Sequence, residues 1–583
     1  MSTIKPKKSI SKQSLVFIGF FIAAFAFMLW KCPYGFGGSD EAFYLTVPHR
    51  LTLGDELFRD EWHLSQLSAF FTLPFVSIYR AINGSNDGIM LAARYTYVFI
   101  HAAVAVILYI RLRKYGVFSI AACVLFMLFT PFDMMVYSYN TIALDTLAIS
   151  GVFAGTAGAK SRIDYDYILA GIFFAFAVVC CPYLAVVYVL YAVITAISAI
   201  REKKTQRTLY CRLFSGRVFL QFTLGVIVSA VLFAIFFFRH SGIKQLINSL
   251  PGIFSDPEHP SYSVIFMLKH YVYCLVTAHR LILIPLGIYA LSLIYLAADK
   301  KRSEHALRHL MLAAFSAVVC WALFASELTE KYYNGITLPL IFVGFTSYLL
   351  TDNKPRELFI SLFIVGLCYS ACVCATSNMG FDVMSMGFSV ANIAGVIFLG
   401  LAVQHTAELS EKRRRMACAA AAAVIGCAAV LTVTVKATHC FWDGSPAELE
   451  YKISDGPARG IVTSERLCSD YEKICAELKA LRETSPGGVL VYAQETWCYL
   501  ILDDCEYSTF SAWLSGLDST AEDRLKMYYE LNPEKYPDCV YILKDLSFAQ
   551  PGLDGTLIAE RAAAEGFTVT ETDISWTLTR QSD

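Results

Sequence analysis

The sequence predicts a polytopic α-helical membrane protein of about thirteen spans, ending in an α/β domain outside the membrane. Three observations predict it. Of the 583 residues, 56% are hydrophobic and only 17% charged, with a mean hydropathy of +0.51, more apolar than a soluble chain of this length. The apolar residues fall in runs of span length. Beyond residue 435 charge, glycine and proline become frequent and no further run occurs. A net charge of −1 offers no global field for nucleic acid, which excludes a general nucleic-acid binder.

The elements follow in order. Lys5, Lys7, Lys8 and Lys12 precede the apolar run Ser14–Trp30, and no small-x-small cleavage site follows it, so this segment reads as a retained anchor. Positive residues stay in the cytoplasm, which puts the N-terminus inside and the loop 31–87 outside. Further spans are expected at 88–110, 117–132, 141–159, 167–181, 183–200, 218–238, 280–298, 309–325, 336–350, 357–376, 386–404 and 416–435. Each returning span ends on a Lys/Arg cluster, such as Arg111, Arg113 and Lys114 or Lys412–Arg415, so the C-terminal region 436–583 lies outside. Within that region the patterns predict helices at 463–483, 518–531 and 556–565. Strands are expected at 488–492 and 539–543, with a final one at 567–579. Most of the 18 cysteines sit in apolar runs as small buried hydrophobes. Six, from Cys440 to Cys539, fall in the outer domain, where disulfides can form. Cys468 and Cys475, two turns apart on one helix and so roughly 10 Å distant, cannot bond each other.

The first outer loop concentrates the acids. Asp40 and Glu41 follow Gly37-Gly38-Ser39, a turn that delivers a helix start with Ser39 as cap. Gly54-Asp55 ends that helix, and Asp60–Tyr79 has a second amphipathic pattern closing at Asn83-Gly84. Two interfacial helices would hold Asp40, Glu41, Asp60 and Glu61 in water at headgroup depth. The plainer reading is that acids at a helix start complement its dipole. His63 and Gln66, beside Asp60 and Glu61, suit an acceptor sugar or a divalent cation (Mg or Mn), against the alternative of simple solvation. Tyr139, Asn140 and Asp145 sit at the mouth of the fourth span, with Asp145 either functional or paired with Arg94. Asp256-Pro257-Glu258-His259-Pro260 reads as a loop over substrate or as a plain connector.

A first span, then Asp40-Glu41 with aromatics at 43–44, then Gly54-Asp55 and two juxtamembrane helices, resembles the GT-C glycosyltransferases. The nearest branch is that of the protein mannosyltransferases and the bacterial lipid A aminoarabinose transferases. Arg94 matches an arginine at the start of their second span, and Lys331-Tyr332-Tyr333 with Pro339 resembles their basic-Tyr…Pro pattern. The acidic-Lys-Pro-Pro motif of the aminoarabinose branch is replaced here by Asp60-Glu61-Trp62-His63-Leu64-Ser65-Gln66, leaving donor sugar and acceptor open. The resemblance implies an enzyme of a bacterial plasma membrane. It would take a sugar from a polyprenyl-phosphate donor and pass it to a glycan, lipid or protein acceptor on the outer face. Such transfer needs a base for the acceptor hydroxyl and donors or cations for the leaving phosphate. Asp40 is the expected base with Glu41 beside it, and in-line attack would invert the anomeric carbon. Arg94, Arg280 and Lys331 are the expected phosphate ligands, and Asp60, Glu61, His63, Gln66, Asn140 and Tyr332 the substrate contacts. A lipid-linked sugar transporter, or a glycan polymerase or ligase, is the competing expectation.

Overall fold

A computed structural model of the chain describes residues 11–158, 163–205, 211–255, 264–277, 280–324, 333–377, 380–408, 410–484, 487–514, 519–544, 564 and 566–580. Helices form at all thirteen expected spans. α1 (Lys12–Lys31) starts at Ser11, whose hydroxyl accepts from the Ser14 amide. Then come α2 (Gly38–Thr52), α3 (Ala69–Asn83), α4 (Ile89–Leu112), α5 (Val117–Leu128), α6 (Tyr139–Thr156), α7 (Tyr165–Cys180), α8 (Ala185–Thr205) and α9 (Gly216–His240). They are followed by α10 (Ile243–Phe254), α11 (Val264–Thr277), α12 (Leu283–Ala298), α13 (Ala306–Phe324) and α14 (Tyr333–Leu350). α15 (Arg356–Leu358) runs through a π-turn into α16 (Val365–Thr376), and α17 (Ser385–Ala407) and α18 (Glu411–Thr438) complete the set.

Among the described residues, nine helices are long and apolar enough to cross a membrane, while those at 117–128, 165–180 and 335–350 are apolar but shorter. Burial sorts them into rim and centre. α17 is buried over 94% of its apolar window and α8 over 11%, and Val186, Val189, Leu190 and Val193 of α8 face outward, as expected of a helix covered by lipid. Close crossings rest on small residues. At the α7–α9 crossing a Cβ on Gly171 would lie 1.9 Å from the Phe222 carbonyl oxygen, and one on Gly225 2.0 Å from that of Ile168. Only glycine fits there.

Beyond the bundle, β1 (Tyr451–Lys452) pairs with β2 (Val462–Thr463), and α19 (Glu465–Thr484) packs beside a four-stranded sheet. β3 (Val489–Tyr492) runs parallel to β4 (Cys539–Leu543), with α20 (Cys498–Ile501) and α21 (Ser519–Leu531) between them. The segment 567–579, expected as one strand, is a hairpin of β5 (Phe567–Glu571) and β6 (Ser575–Arg580), with β6 antiparallel to β4. The Thr572 hydroxyl accepts from the amides of Ile574 and Ser575 and turns the chain. The expected helix at 556–565 lies, apart from residue 564, outside the described residues. Cys440, Cys468, Cys475, Cys498, Cys505 and Cys539 are all buried free thiols.

The loop between α1 and α4 and the C-terminal domain share one core. Phe36, Phe43 and Leu57 pack in a single cluster with Tyr471, Trp497, Tyr507 and Tyr541. Trp62 stacks on Phe510 at 5.5 Å and meets Tyr528 edge-on. Backbone bonds add to this: the Gly35 amide donates to the Val462 carbonyl (2.9 Å) and the Trp62 amide to that of Phe510 (2.8 Å).

Candidate functional site at the start of α2

Gly35 and Gly38 stand at φ +85° and +46°, where side chains are strained. Gly35 also abuts Cys440, whose Cβ would be 2.4 Å from an added Cβ. Gly37 is the N-cap and makes no side-chain cap, so Ser39, expected to cap the helix, lies within it. The Ser39 carbonyl instead accepts from the Thr496 hydroxyl of the C-terminal domain (2.5 Å).

Asp40 and Glu41 share the first turn of α2 but differ in surroundings. Asp40 is half-buried, at the positive end of the helix dipole. One turn on, Tyr44 lies 5.8 Å ring to ring from Tyr139 at the start of α6. Burial pushes the Tyr44 hydroxyl well above its ordinary pKa, and Tyr139, Asp40 and Cys181 add to the rise. It therefore remains a neutral donor beside the carboxylate. Tyr183 and Tyr369 surround the same Cys181. Asn140, next to Tyr139, is 7% exposed, and its Oδ1 has no hydrogen-bond partner among the described residues.

Glu41 points inward. It pairs with Arg94 through Nη2 and through Nε at 3.1 Å, and Arg94 also donates to the carbonyls of Cys32 (2.8 Å), Tyr34 (3.2 Å) and Gly35 (2.6 Å). Both residues are under 5% exposed. The guanidinium expected to hold a phosphate is directed to the turn before α2, which it fastens to α4.

The acidic stretch 55–61 is also inward, which corrects the expectation that Asp60 and Glu61 face water; each is 1% exposed. The cause is Arg50, wholly buried near the end of α2. Its Nε binds Asp55 (2.7 Å), its Nη1 Glu61 (2.9 Å) and its Nη2 the Thr509 carbonyl (2.9 Å), with the Tyr507 ring 5.0 Å away. Lys535 completes the network, reaching Asp55 (2.5 Å) and Glu506 (2.6 Å). Asp60 accepts from the Glu56 amide (2.7 Å). Burial raises the Asp60 and Glu61 carboxyls above the usual range, against the pull of Arg50. His63 Nδ1 accepts from the Ser65 amide (3.1 Å) and lies 2.7 Å from the Ser65 hydroxyl, capping a short 3-10 turn, Leu64–Ser68. α3 therefore starts at Ala69, later than the pattern suggested. Gln66 Oε1 accepts from the Phe58 amide (2.8 Å).

A divalent cation at Asp60, Glu61 and His63 fits poorly. Glu61 already has Arg50 and the His63 amide as donors (3.0 Å), His63 Nδ1 faces Ser65, and among the described residues no group of three His, Cys, Asp or Glu converges as metal ligands.

Arg280 is exposed and opens a 3-10 turn packed on α11, α12 and α13, not on α2. Lys331, Tyr332 and the segment 256–260 lie outside the described residues. Asp145 pairs with His101 (Nδ1 to Oδ1, 2.6 Å), not with Arg94, and His101 Nε2 lies 3.1 Å from the Phe126 carbonyl oxygen.

The sequence reading missed three groups. One is Arg50 with Lys535. A second is the wall that Thr496 and Trp497 form beside Gly38. The third is a buried trio in which Lys31 and Lys436 both meet Asp133. Asp133 and Phe132 are held at φ +60° and +56° in the connection leading to Tyr139, so the trio steadies the segment facing Asp40. Lys31 and Lys436 each flank a span end, a placement that sequence explains as snorkelling alone.

No family model and no curated protein matches the chain. Among solved structures it is similar to ArnT from Cupriavidus metallidurans bound to undecaprenyl phosphate, at 13% identity over 98% of each chain with a TM-score of 0.40. It is similar to the apo state of that protein at 14% identity, over 97% of this chain and 98% of the other, with a TM-score of 0.42. The archaeal oligosaccharyltransferase AglB from Archaeoglobus fulgidus, in complex with an inhibitory peptide and a dolichol-phosphate, is similar at 11% identity. That match covers 91% of this chain and 69% of the other, with a TM-score of 0.40.

Proposed function

We propose that this protein is an integral-membrane glycosyltransferase that moves a sugar from a polyprenyl-phosphate donor to an acceptor hydroxyl at the outer face of a bacterial membrane. Asp40 acts as general base. The observation that carries this reading is the contrast within one helical turn: Glu41 is buried and locked to Arg94, while Asp40 is only half-buried beside the Tyr44 and Tyr139 rings. A carboxylate so placed takes the acceptor proton as the oxygen attacks the sugar's first carbon, and the phosphate leaves on the opposite face with inversion. Tyr44, kept protonated, is a hydrogen-bond donor for a substrate oxygen. Asn140, with its free Oδ1, suits a sugar hydroxyl. Glu41 and Arg94 act as positioning residues that fix the start of α2.

The test is transfer from a short-chain polyprenyl-phosphate sugar by purified protein. Asp40→Asn should remain folded and lose roughly 10²–10⁴ in rate. Wild-type turnover by Asp40→Asn would sink the assignment. Movement of the lipid-linked sugar across vesicles with no bond transfer would favour a carrier instead.

A further inference from the structure

α10 has two unlike faces. Ile243, Ile247, Leu250 and Phe254, spaced by four, three and four, form a stripe exposed by 57%, 60%, 36% and 71%. Such a stripe on a helix that follows membrane-length α9 after only Ser241 and Gly242 lies in the lipid interface. Away from the stripe, Lys244, Gln245, Asn248 and Ser249 border a cleft of about 140 Å³, closed by Phe58 and Arg59 of the first loop and by Leu531 and Asn532 at the end of α21. The walls are fixed. The Leu57 amide donates to the His240 carbonyl (2.8 Å), the Trp62 ring fills the space a Cβ on Gly252 would need, and Arg59 Nε donates to Asn532 Oδ1 (3.2 Å).

The free groups define the ligand. Arg59 is engaged by Glu534 and Asn532. The side chains of Lys244, Gln245 and Asn248 make no hydrogen bond or ion pair with any described residue. Two amides offer donors and acceptors together, which matches hydroxyl groups, whereas a phosphate, which only accepts, would use Lys244 and the amide N–H groups and leave both amide oxygens unmatched. The half-buried Phe58 ring supplies an apolar wall for a sugar face. The volume is below the roughly 300–1,000 Å³ of drug-sized sites, and suits one small polar headgroup. We propose that this cleft binds the hydroxyl-rich headgroup of a membrane glycolipid, whose chains lie along the exposed stripe of α10. The cleft uses none of the residues around Asp40 and stands apart from the transfer reading.

Monoglucosyl- and monogalactosyl-diacylglycerol titrated onto the full-length protein in detergent, read by native mass spectrometry, test it. Phosphatidylglycerol and methyl glucoside form the control arms. The glycolipids should bind, and the double variant Gln245→Leu with Asn248→Leu should weaken them roughly tenfold or more, at an unchanged melting temperature. Should the pair of changes impair folding, Asn248→Asp alone, at an exposed position, should show the same direction. Four outcomes overturn the proposal: no glycolipid binding, binding indifferent to these substitutions, equal binding of phosphatidylglycerol, or methyl glucoside binding as tightly as the glycolipids.

Discussion

The two acidic stretches between α1 and α4 are alike in composition and opposite in placement. Asp55 and Glu61 are drawn inward by Arg50 and Lys535, so that the loop and the C-terminal domain close around one ion network, and Asp60 is buried beside it on the Glu56 amide. At the start of α2, Glu41 is buried against Arg94, and Asp40 is half-buried near the Tyr44 and Tyr139 rings. A carboxylate's neighbours, rather than its presence in a motif, separate a structural role from a chemical one.

The widest test of that contrast sets Asp40→Asn against Glu61→Gln. The first should abolish nearly all turnover while melting as the wild type does. The second should lower the melting temperature while the folded protein keeps its rate. A Glu61→Gln enzyme that is stable but inactive would reverse the two assignments. Next in size, Arg50→Met leaves Asp55 and Glu61 buried without their partner, and should destabilise by about 3–5 kcal/mol in denaturant or thermal unfolding. Retention of full stability would mean that Lys535 alone holds the network. Glu41→Gln keeps the carbonyl contacts of Arg94 and should cost about 1–3 kcal/mol, with a rate loss far smaller than that of Asp40→Asn. Equal losses would make Glu41 the base.

The smallest effect is a slope. His49, held by the Tyr507 hydroxyl (2.7 Å) and by Asn86 (3.1 Å), has its pKa lowered to about 3 by burial, with Arg80 adding to the shift. The unfolded chain takes up its proton near 6.5, so stability contributed by neutral His49 is present above that pH and falls as the pH drops toward 3. The slope approaches about 1.4 kcal/mol per pH unit. Asp60 and Glu61, raised by burial, oppose this at the acid end. The difference between wild type and His49→Gln across pH 7 to 5 therefore isolates the histidine, and identical slopes would refute its burial as neutral.

Much of this architecture was legible. Apolar run length placed a helix at each expected span, but α10 and α11 formed where the sequence suggested only a long connection between 238 and 280. The turn at Gly84, at φ +71°, follows from Asn83-Gly84. Short apolar runs after Gly- or Pro-containing turns marked β3 and β4 as buried strands, and alternation marked 567–579, while the Thr572 turn that splits that last strand carries only a weak local signal. The site was legible only in part. Asp40 stood out as an acid at a helix start beside a membrane. Nothing local distinguished it from Glu41, because the Arg94 that separates them lies on another helix, 53 residues away. His101, likewise, carries no mark of Asp145.

The sequence by itself determined the membrane class, the helices at the apolar runs and the C-terminal α/β character, because periodicity and hydropathy are properties of neighbouring residues. Which carboxylates are buried, which cation each one meets, and how the C-terminal domain closes over the start of α2 were decided by tertiary structure. Burial and ion pairing depend on residues brought together from distant parts of the chain. Arg50 with Lys535 and Thr496 with Ser39 meet only once the fold exists.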